Sequence, residues 1–496
     1  MNQVQEFLKN GILPTVEKLN PFNSDKKFEI KEEPSSNVQQ KPNTLEKKEI
    51  EKIETKEEVG LKKNEVCASA FENYKDEDKK RELGDFVKYF RNRYNSLRSI
   101  LMNRPELQNA MSINRLKNKP LNVGPTGKSR ERVSIIGIVK DKDITKNGNV
   151  ILTLEDLTGE MTVLCSKTAP CFNEAKDIGF DEVIGISGSM GENIIFINEL
   201  FLPDISLNNE LKKSENEEYL VFTSDIHYGS KSFYETEFNN FILWLNGEYG
   251  DEKEREISKK VKYLFLLGDL VEGVGIYPGQ DNDLKIVDIY DQYNGLSKYI
   301  ERIRKDVKIF VIGGNHDALR LSEPQPAISK EFANSFYEME NVCFLSNPCL
   351  VNVCKTENFP GLNVLLYHGY SLHYLSQNVS SLKDSGGLNR VELIMKYLLQ
   401  RRHLCPAYGS ALFVPDTRDD PLIIKKVPDI FATGHVHKLA LGNYRNVNLI
   451  QAGCWVGQTD YQEKQGMMPD PCKIVLVNSM SREIKVLDFL HGEKDE

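Results

Sequence analysis

Aspartate, asparagine and histidine residues recur in five short loops of the C-terminal half of the chain. The loops read SDIHYGS, GDLVEG, GGNHD, YHGYS and TGHVHK, and they contain Asp225, His227, Asp269, Asn315, His316, His368, His435 and His437. A single Asp-x-His or Asn-His pair is weak evidence, because such residues often only cap a turn. The joint pattern is stronger, because each loop follows an apolar run and ligands of α/β sheets bind at strand ends.

The side-chain types in these loops fit a site for two divalent metal ions. Carboxylate, amide and imidazole ligands suit Mn²⁺, which we favour, and also Mg²⁺, Fe²⁺ or Zn²⁺. None of the nine cysteines forms a C-x-x-C pair, which argues against a structural zinc site. Asp269 lies between the two ligand groups and is a candidate bridge between ions about 4 Å apart that clamp a phosphate. His316 could face that phosphate and protonate the leaving oxygen or stabilise charge in the transition state.

Residues 216–496 have the alternation expected of a layered α/β domain. Apolar runs such as YLVFTS, YLFLLG, KIFVIGG, NVLLYHG and DIFATG predict buried strands. Between them, segments such as YETEFNNFILWL have the apolar spacing of helices. The strands end on the five loops, so the layered domain is expected to bring the ligands together.

Four regions precede this domain. Residues 1–20 predict a short helical element, residues 21–64 a charged disordered linker, and residues 65–121 a helical region. Residues 130–206 contain short alternating runs separated by turns, which predicts a closed OB-like β-barrel. The basic stretch around GPTGKS is not a phosphate-binding loop, because Asn122 stands where that motif needs its first glycine. A solvated loop is slightly favoured there over a contact with a nucleic-acid backbone.

Charge and hydropathy restrict the function. The 496 residues include 64 Lys and Arg against 73 Asp and Glu, a formal net charge of −9, so a generally basic nucleic-acid surface is absent. DNA chemistry remains open, because metal ions supply positive charge at a site built from carboxylates. We find neither an apolar run of membrane-spanning length nor a secretory pattern, so we expect a cytoplasmic protein without a membrane contact.

In order and residue type, the five loops resemble the calcineurin-like metallophosphoesterase superfamily, whose motifs are D-x-H, G-D, G-N-H-D/E, H and G-H-x-H. The resemblance implies that one metal ion is held by Asp225, His227, Asp269 and His437. It implies that the second is held by Asp269, Asn315, His368 and His435. It also makes His316 the catalytic histidine.

The second loop separates this chain from one branch of that superfamily. Serine/threonine phosphatases carry Arg-Gly after the acidic residue of this motif, whereas this chain has Glu272, Gly273 and Val274. A protein phosphatase is therefore disfavoured. We assign Glu272 a supporting role and not a place among the metal ligands.

A narrower resemblance covers roughly residues 85–496. The strings GNHDALRLSEPQPAI, RRHLCPAYGSALFVPDTRDDPLII and PDIFATGHVHK are similar to the small-subunit family of archaeal family D DNA polymerases. That family joins an OB domain to a phosphodiesterase domain. The resemblance implies a proofreading 3'-5' exonuclease that acts on DNA beside a large polymerising subunit, with a sliding clamp or a primase as further candidate partners.

Four basic residues are candidates for holding the DNA backbone, namely Lys231, Arg320, Arg401 and Arg402. Lys231 and Arg320 are favoured by their proximity to the metal loops. An ordinary surface charge explains Arg401 and Arg402 equally well. Two other functions stay open: a mainly structural accessory subunit that bridges the polymerase to other replication factors, and a stand-alone phosphodiesterase of small substrates.

Overall fold

The computed structural model describes residues 70–75, 80–119, 132–416, 418–458, 463 and 468–490. The helix predicted for residues 1–20, the linker predicted for residues 21–64 and the GPTGKS loop lie outside the described residues. No helix among the described ranges is both long and apolar enough to cross a membrane.

The segment before the barrel differs in part from the predicted helical region. Its elements are the strand β1 (Ala70–Asn73), the helices α1 (Leu83–Leu101) and α2 (Ile113–Lys117), and a 3-10 turn at Pro105–Leu107. The helical region predicted for residues 65–121 did not include β1, which pairs with a strand almost 280 residues further along the chain. A four-residue strand paired so far away leaves too little local pattern for a sequence to show it.

A closed five-stranded barrel follows, within the range predicted for one. Its elements are β2 (Arg132–Ile144), β3 (Val150–Asp156), β4 (Gly159–Cys165), α3 (Phe172–Asp177), β5 (Val183–Met190) and β6 (Ile194–Phe201). The strands close in the order β2-β3-β4-β6-β5. Alternate residues of β3, such as Val150, Leu152 and Leu154, are fully buried, because side chains of a strand point to opposite faces in turn.

The rest of the chain forms two six-stranded sheets and their helices. The strands are β7 (Tyr219–Thr223), β8 (Val261–Leu267), β9 (Lys308–Ile312), β10 (Val342–Phe344), β11 (Cys349–Val353), β12 (Leu362–Tyr367), β13 (Ile430–Thr433), β14 (Ala440–Tyr444), β15 (Val447–Gln451), β16 (Lys473–Asn478) and β17 (Ile484–Asp488). The helices are α4 (Glu235–Leu245), α5 (Glu252–Lys259), α6 (Ile289–Ile300), α7 (Asn334–Tyr337), α8 (Ser371–Asn378), α9 (Ser380–Asp384) and α10 (Val391–Arg401), with 3-10 turns at Gln280–Asn282 and Gly387–Arg390.

The two sheets pack face to face between layers of helices. The first sheet has the order β10-β9-β8-β7-β16-β17, and the second has the order β1-β11-β12-β13-β15-β14. In β8, Phe265 and Leu267 pack into the core between the sheets, while Leu264 and Leu266 pack on the opposite face with residues of α4 and α6. Both faces are therefore apolar, as expected for strands that are covered on two sides.

The strand directions place two groups of loops side by side. In the first sheet β7, β8 and β9 run parallel, and in the second sheet β12 and β13 run parallel. The five loops singled out in the sequence follow these five strands directly. Because the carboxyl ends of parallel strands share one edge of a sheet, each sheet delivers its loops to a single place.

Candidate metal centre

Most of the predicted ligands have a backbone conformation that is unusual for their residue type. The φ angle is +52° at Asp225, +49° at His227, +48° at Asp269, +73° at His435 and +58° at His437. Residues other than glycine seldom adopt the left-handed region, and each such residue costs on the order of 1 kcal/mol. The surrounding fold holds this strain where five predicted ligands turn inward.

Two glycines allow the loops to approach one another. A Cβ atom at Gly314 would lie 2.3 Å from Oδ1 of Asp269, and one at Gly434 would lie 2.8 Å from Oδ2 of Asp225. Real Cβ atoms do not come so close to other atoms, so any larger residue would push the carboxylates away. These glycines are needed for space and not for a positive φ angle.

One cluster of ligand atoms is formed by Asp225, His227 and His437, all of them buried. Oδ1 of Asp225 lies 3.3 Å from Nε2 of His437 and 3.9 Å from Nε2 of His227. The two Nε2 atoms are 3.0 Å apart. This set joins loops of both sheets, since His437 comes from the second sheet and the other two residues come from the first.

A neighbouring cluster is formed by Asp269, His368 and His435, with Asn315 beside it. Nε2 of His368 lies 3.3 Å from Oδ2 of Asp269 and 3.0 Å from Oδ1 of Asn315. Oδ2 of Asp269 is also 3.8 Å from Nε2 of His227, a member of the first cluster. Asp269 therefore lies between the two groups, as expected for a bridging carboxylate.

Hydrogen bonds outside the clusters orient the rings. Nδ1 of His368 lies 2.8 Å from the carbonyl oxygen of Leu267, so Nδ1 donates to that carbonyl and Nε2 faces the cluster. The ring of His316 is oriented in the same way, because its Nδ1 is 2.8 Å from the carbonyl oxygen of Glu272. Oε2 of Glu272 is 2.9 Å from Nδ1 of His227, although the contact does not have hydrogen-bond geometry.

The charge of the two clusters is suited to divalent cations. Burial alone would raise the pKa of Asp269, but His368 and His316 outweigh it and hold this pKa well below its usual range. Burial lowers the pKa of His368, yet the Asp269 carboxylate raises it to about 9. Oδ1 of Asp225 accepts no hydrogen bond from the described residues. The donor set thus attracts positive charge and has an unfilled acceptor, so these residues fit the implied metal ions.

The structure places two further side chains beside the second cluster. The ring of His373 is 5.1 Å from that of His435, and the ring of Tyr370 is 5.6 Å from it. Both follow His368 in the sequence, where the chain enters α8. The sequence analysis gave neither residue a role: Tyr370 lies in the YHGYS loop but is not a ligand of its motif, and His373 lies beyond the loop. A histidine five residues after a predicted ligand is nevertheless a usable signal.

The four predicted DNA-contacting residues have different environments. Lys231 is exposed beside the first loop, and its Nζ donates to the carbonyl oxygen of Asn282 at 2.7 Å. Arg320 is half-buried near His316. Its guanidinium donates to the carbonyl oxygens of two nearby residues and lies over the ring of Tyr74.

Arg401 and Arg402 do not reach a surface where DNA could lie. Both are about 5% exposed. Arg401 donates to the buried carboxylate of Glu182 at 2.9 Å, and Arg402 donates to the carbonyl oxygen of Ile424 at 2.6 Å. We therefore correct their assignment: Arg401 joins α10 to the barrel, and Arg402 ties the end of α10 to the loop that follows.

Comparison with known proteins defines the family. The family model for the B subunit of DNA polymerase alpha/epsilon matches residues 220–439. The DNA polymerase II small subunit of Methanothermobacter thermautotrophicus is 38% identical over 409 residues, which cover 82% of this chain and 80% of that relative. This chain belongs to the archaeal DNA polymerase II small-subunit family.

Two further comparisons concern a second relative and a solved structure. The small subunit of this family from Pyrococcus furiosus is 36% identical over 408 residues, which cover 82% of this chain and 63% of that longer relative. A solved archaeal phosphodiesterase is 14% identical and covers 54% of this chain and 98% of its own, with a TM-score of 0.26. A TM-score this low does not support a statement about the fold of this chain.

Proposed function

We propose that this chain carries the 3'-5' exonuclease activity of a heteromeric DNA polymerase, in a calcineurin-like phosphodiesterase domain preceded by an OB-like barrel. The observation that carries the proposal is the convergence of two buried aspartates, four histidines and an asparagine at the strand ends of two sheets. A subunit that served only as a scaffold would not need strained loops that press these ligand atoms together.

The proposed ligand sets follow the two clusters. Asp225, His227, Asp269 and His437 would hold one divalent ion. Asp269, Asn315, His368 and His435 would hold the other. When bound, such ions would supply the positive charge that polarises and clamps a phosphodiester.

His316 has the surroundings of a proton donor to the leaving 3'-oxygen. Its Nδ1 is held by the carbonyl oxygen of Glu272, which leaves Nε2 to take up or release a proton. Oε1 of Glu272 lies 4.0 Å from Nδ1 of His316 and would stabilise the imidazolium form. Burial lowers the pKa of His316, so the ring loses its proton readily. Glu272 thus acts as a positioning residue.

Membership of a small-subunit family implies a large polymerising subunit as the partner, with DNA as the shared substrate. The chain is acidic overall, so we propose that the cations of the site and local groups such as Lys231 and Arg320 attract the phosphates. Contacts with a sliding clamp or a primase stay predictions.

The test is degradation of a 3'-mismatched primer-template by the full chain with Mn²⁺ or Mg²⁺. We expect stepwise shortening from the 3' end, and its loss in Asp269→Asn. The asparagine keeps an oxygen for the backbone N–H of His316, which donates to Oδ1 of Asp269 at 2.7 Å, so this variant should fold. A matched control is Asp306→Asn, which changes an exposed aspartate in the turn before β9.

Two results would overturn the proposal. If the chain cleaves nothing with any of these metals, alone or with the large subunit, the scaffold function is the better account. If Asp269→Asn is as active as the natural chain, a contaminating nuclease is responsible for the cleavage.

A further inference from the structure

A cavity of about 600 Å³ opens beside His316. Its walls come from the loop after β8, the start of α6 and the segment after β9, and its larger apolar side chains include Val274, Ile276, Ile289, Leu319 and Phe332. Val274 is 45% exposed and Ile276 is 37% exposed. Apolar groups left open to water next to a highly polar centre are typical of a binding site.

The loop that forms one wall is held in place by two glutamines. Oε1 of Gln292 accepts from the backbone N–H of Gly273, and Oε1 of Gln280 accepts from the backbone N–H of Ile276, both at 2.9 Å. Nε2 of Gln280 also donates to the carbonyl oxygen of Glu272 at 3.0 Å. The wall is therefore fixed to the same residue that orients His316, so the cavity and the proposed metal centre form one surface.

One lining residue, Phe332, belongs to an aromatic pair. The ring of Phe332 stacks on that of Tyr290 with centroids 5.5 Å apart and 21° between the planes. Tyr290 is more than one-third exposed. A flat, partly open aromatic and aliphatic surface suits the face of another planar ring.

The polar groups that line the cavity already serve the protein itself. The carboxylate of Asp317 accepts from the backbone N–H of Gly314 and from the hydroxyl of Tyr293. The guanidinium of Arg320 donates to backbone carbonyls. The described lining thus offers van der Waals and stacking surface, with its charged side chains engaged elsewhere.

We propose that this cavity binds the nucleobase on the leaving-group side of the scissile phosphate, which is the penultimate base of the 3' end. The inference rests on the proposed exonuclease function. His316 borders the cavity and is placed to protonate the leaving 3'-oxygen, so the nucleoside that bears this oxygen lies on the same side. The terminal nucleotide lies on the other side of the phosphate.

This placement determines two properties of the substrate. Stacking and apolar contact accept any base, so cleavage is expected to depend little on sequence. A base paired in a duplex cannot enter the cavity, so the penultimate nucleotide must also be unpaired. Ends with two unpaired nucleotides should therefore be cleaved faster than ends with one, because the second base pair need not be opened.

The experiment uses the full chain and single-stranded oligonucleotides with one abasic nucleotide at either the terminal or the penultimate position. We expect the penultimate abasic site to lower kcat/KM by on the order of tenfold, the size expected for one stacked base, and the terminal one to have little effect. Ile276→Asp should lower kcat/KM on the unmodified oligonucleotide by a similar factor. In that variant the penultimate abasic site should add no further loss, because both changes remove the same contact.

Val287→Asp is the matched control, since Val287 is 68% exposed, lies nearby in sequence and does not line the cavity. The inference would be overturned if the two abasic positions lowered kcat/KM equally. It would also be overturned if the penultimate abasic site lowered kcat/KM of Ile276→Asp as much as it lowers that of the natural chain. Absence of cleavage for every oligonucleotide, both without and with the large subunit, would reject the exonuclease function instead.

In that last case a binding measurement still tests the cavity. An oligonucleotide with 2-aminopurine at the penultimate position is titrated with Asp269→Asn protein, and its fluorescence should fall on binding as the base stacks. The fall should disappear when Ile276→Asp is added to that variant. A fluorescence change that survives Ile276→Asp would place the base elsewhere.

Discussion

Two buried clusters among the described residues contain a histidine next to an aspartate, and of these two only one resembles a metal site. The strand-end cluster consists of Asp225, His227, Asp269, Asn315, His368, His435 and His437. The helix-docking cluster consists of Tyr89, Arg93, His403 and Asp420. The first joins loops of two sheets, and the second holds α1 against the loop after α10.

The clusters differ in how their carboxylates are satisfied. In the helix-docking cluster, Oδ2 of Asp420 accepts from Nε of Arg93 and from Nε2 of His403, each at 2.8 Å, and Oδ1 accepts from the hydroxyl of Tyr89 at 2.8 Å. In the strand-end cluster, the ion-pair partners of Asp225 and Asp269 among the described residues are histidines. A structural cluster includes its own permanent cation, whereas a metal site leaves that place to the ion.

The largest expected effect is on catalysis by the strand-end cluster. Asp269→Asn should reduce exonuclease activity by at least 10²-fold. Even replacing a residue that only hydrogen-bonds to a metal ligand costs up to about 100-fold. Its thermal unfolding without metal should stay near that of the natural chain. A measurable reduction of less than tenfold would show that Asp269 does not bridge the two groups.

The next effect concerns stability at the helix-docking cluster. Asp420→Asn leaves the buried guanidinium of Arg93 without its carboxylate and should lower the free energy of unfolding by about 3 kcal/mol. Urea unfolding measures this change. Mn²⁺ binding, measured by calorimetry, should be unaffected, and a loss of it would show that the two clusters are not independent.

Metal addition should stabilise the protein through one cluster only. Mn²⁺ at 100 times its dissociation constant should raise the free energy of unfolding by about 2.7 kcal/mol. The same gain is expected in Asp420→Asn and most of it should be absent in Asp269→Asn. Thermal unfolding with and without EDTA is the measurement. An equal gain in stability in both variants would show that the metal does not act through the strand-end cluster.

The smallest effect is the pH dependence of the helix-docking cluster. Burial and the nearby Arg93 lower the pKa of His403 to about 4. The structure agrees, because Nδ1 of His403 accepts from the backbone N–H of Cys405 at 2.9 Å and so carries no proton. The unfolded chain, with a histidine pKa near 6.5, binds this proton first, so stability falls as the pH drops from about 6.5 to 4.

Replacing His403 tests that loss. We expect the natural chain to lose on the order of 2 kcal/mol more than His403→Gln over this pH range, from urea unfolding with EDTA present. Identical pH profiles would mean that His403 already carries its proton in the folded state.

The sequence alone was enough to place the candidate ligands at strand ends, because their types and order are local properties. Each of the five loops is a polar segment that directly follows an apolar run, and the structure places all five at strand ends. The barrel was also visible, since alternation within β2 to β6 does not depend on distant partners. Their roles as metal ligands stay predictions.

The sequence did not show which charged side chains are already paired inside the protein. Arg401 and Arg402 appear in it as two adjacent basic residues, and only the fold shows that their charges are used inside the protein. His373 and the strand β1 were missed for a related reason. Their neighbours, His435 and β11, are far away along the chain.

The sequence by itself therefore determined the types and order of the candidate ligands and the layered fold that carries them. The tertiary structure decided which charges are already paired, which ligand atoms lie beside Asp269, and that an apolar cavity opens next to His316. The physical reason is that residue type and periodicity are local, whereas burial, pairing and cavity shape depend on segments separated by up to hundreds of residues.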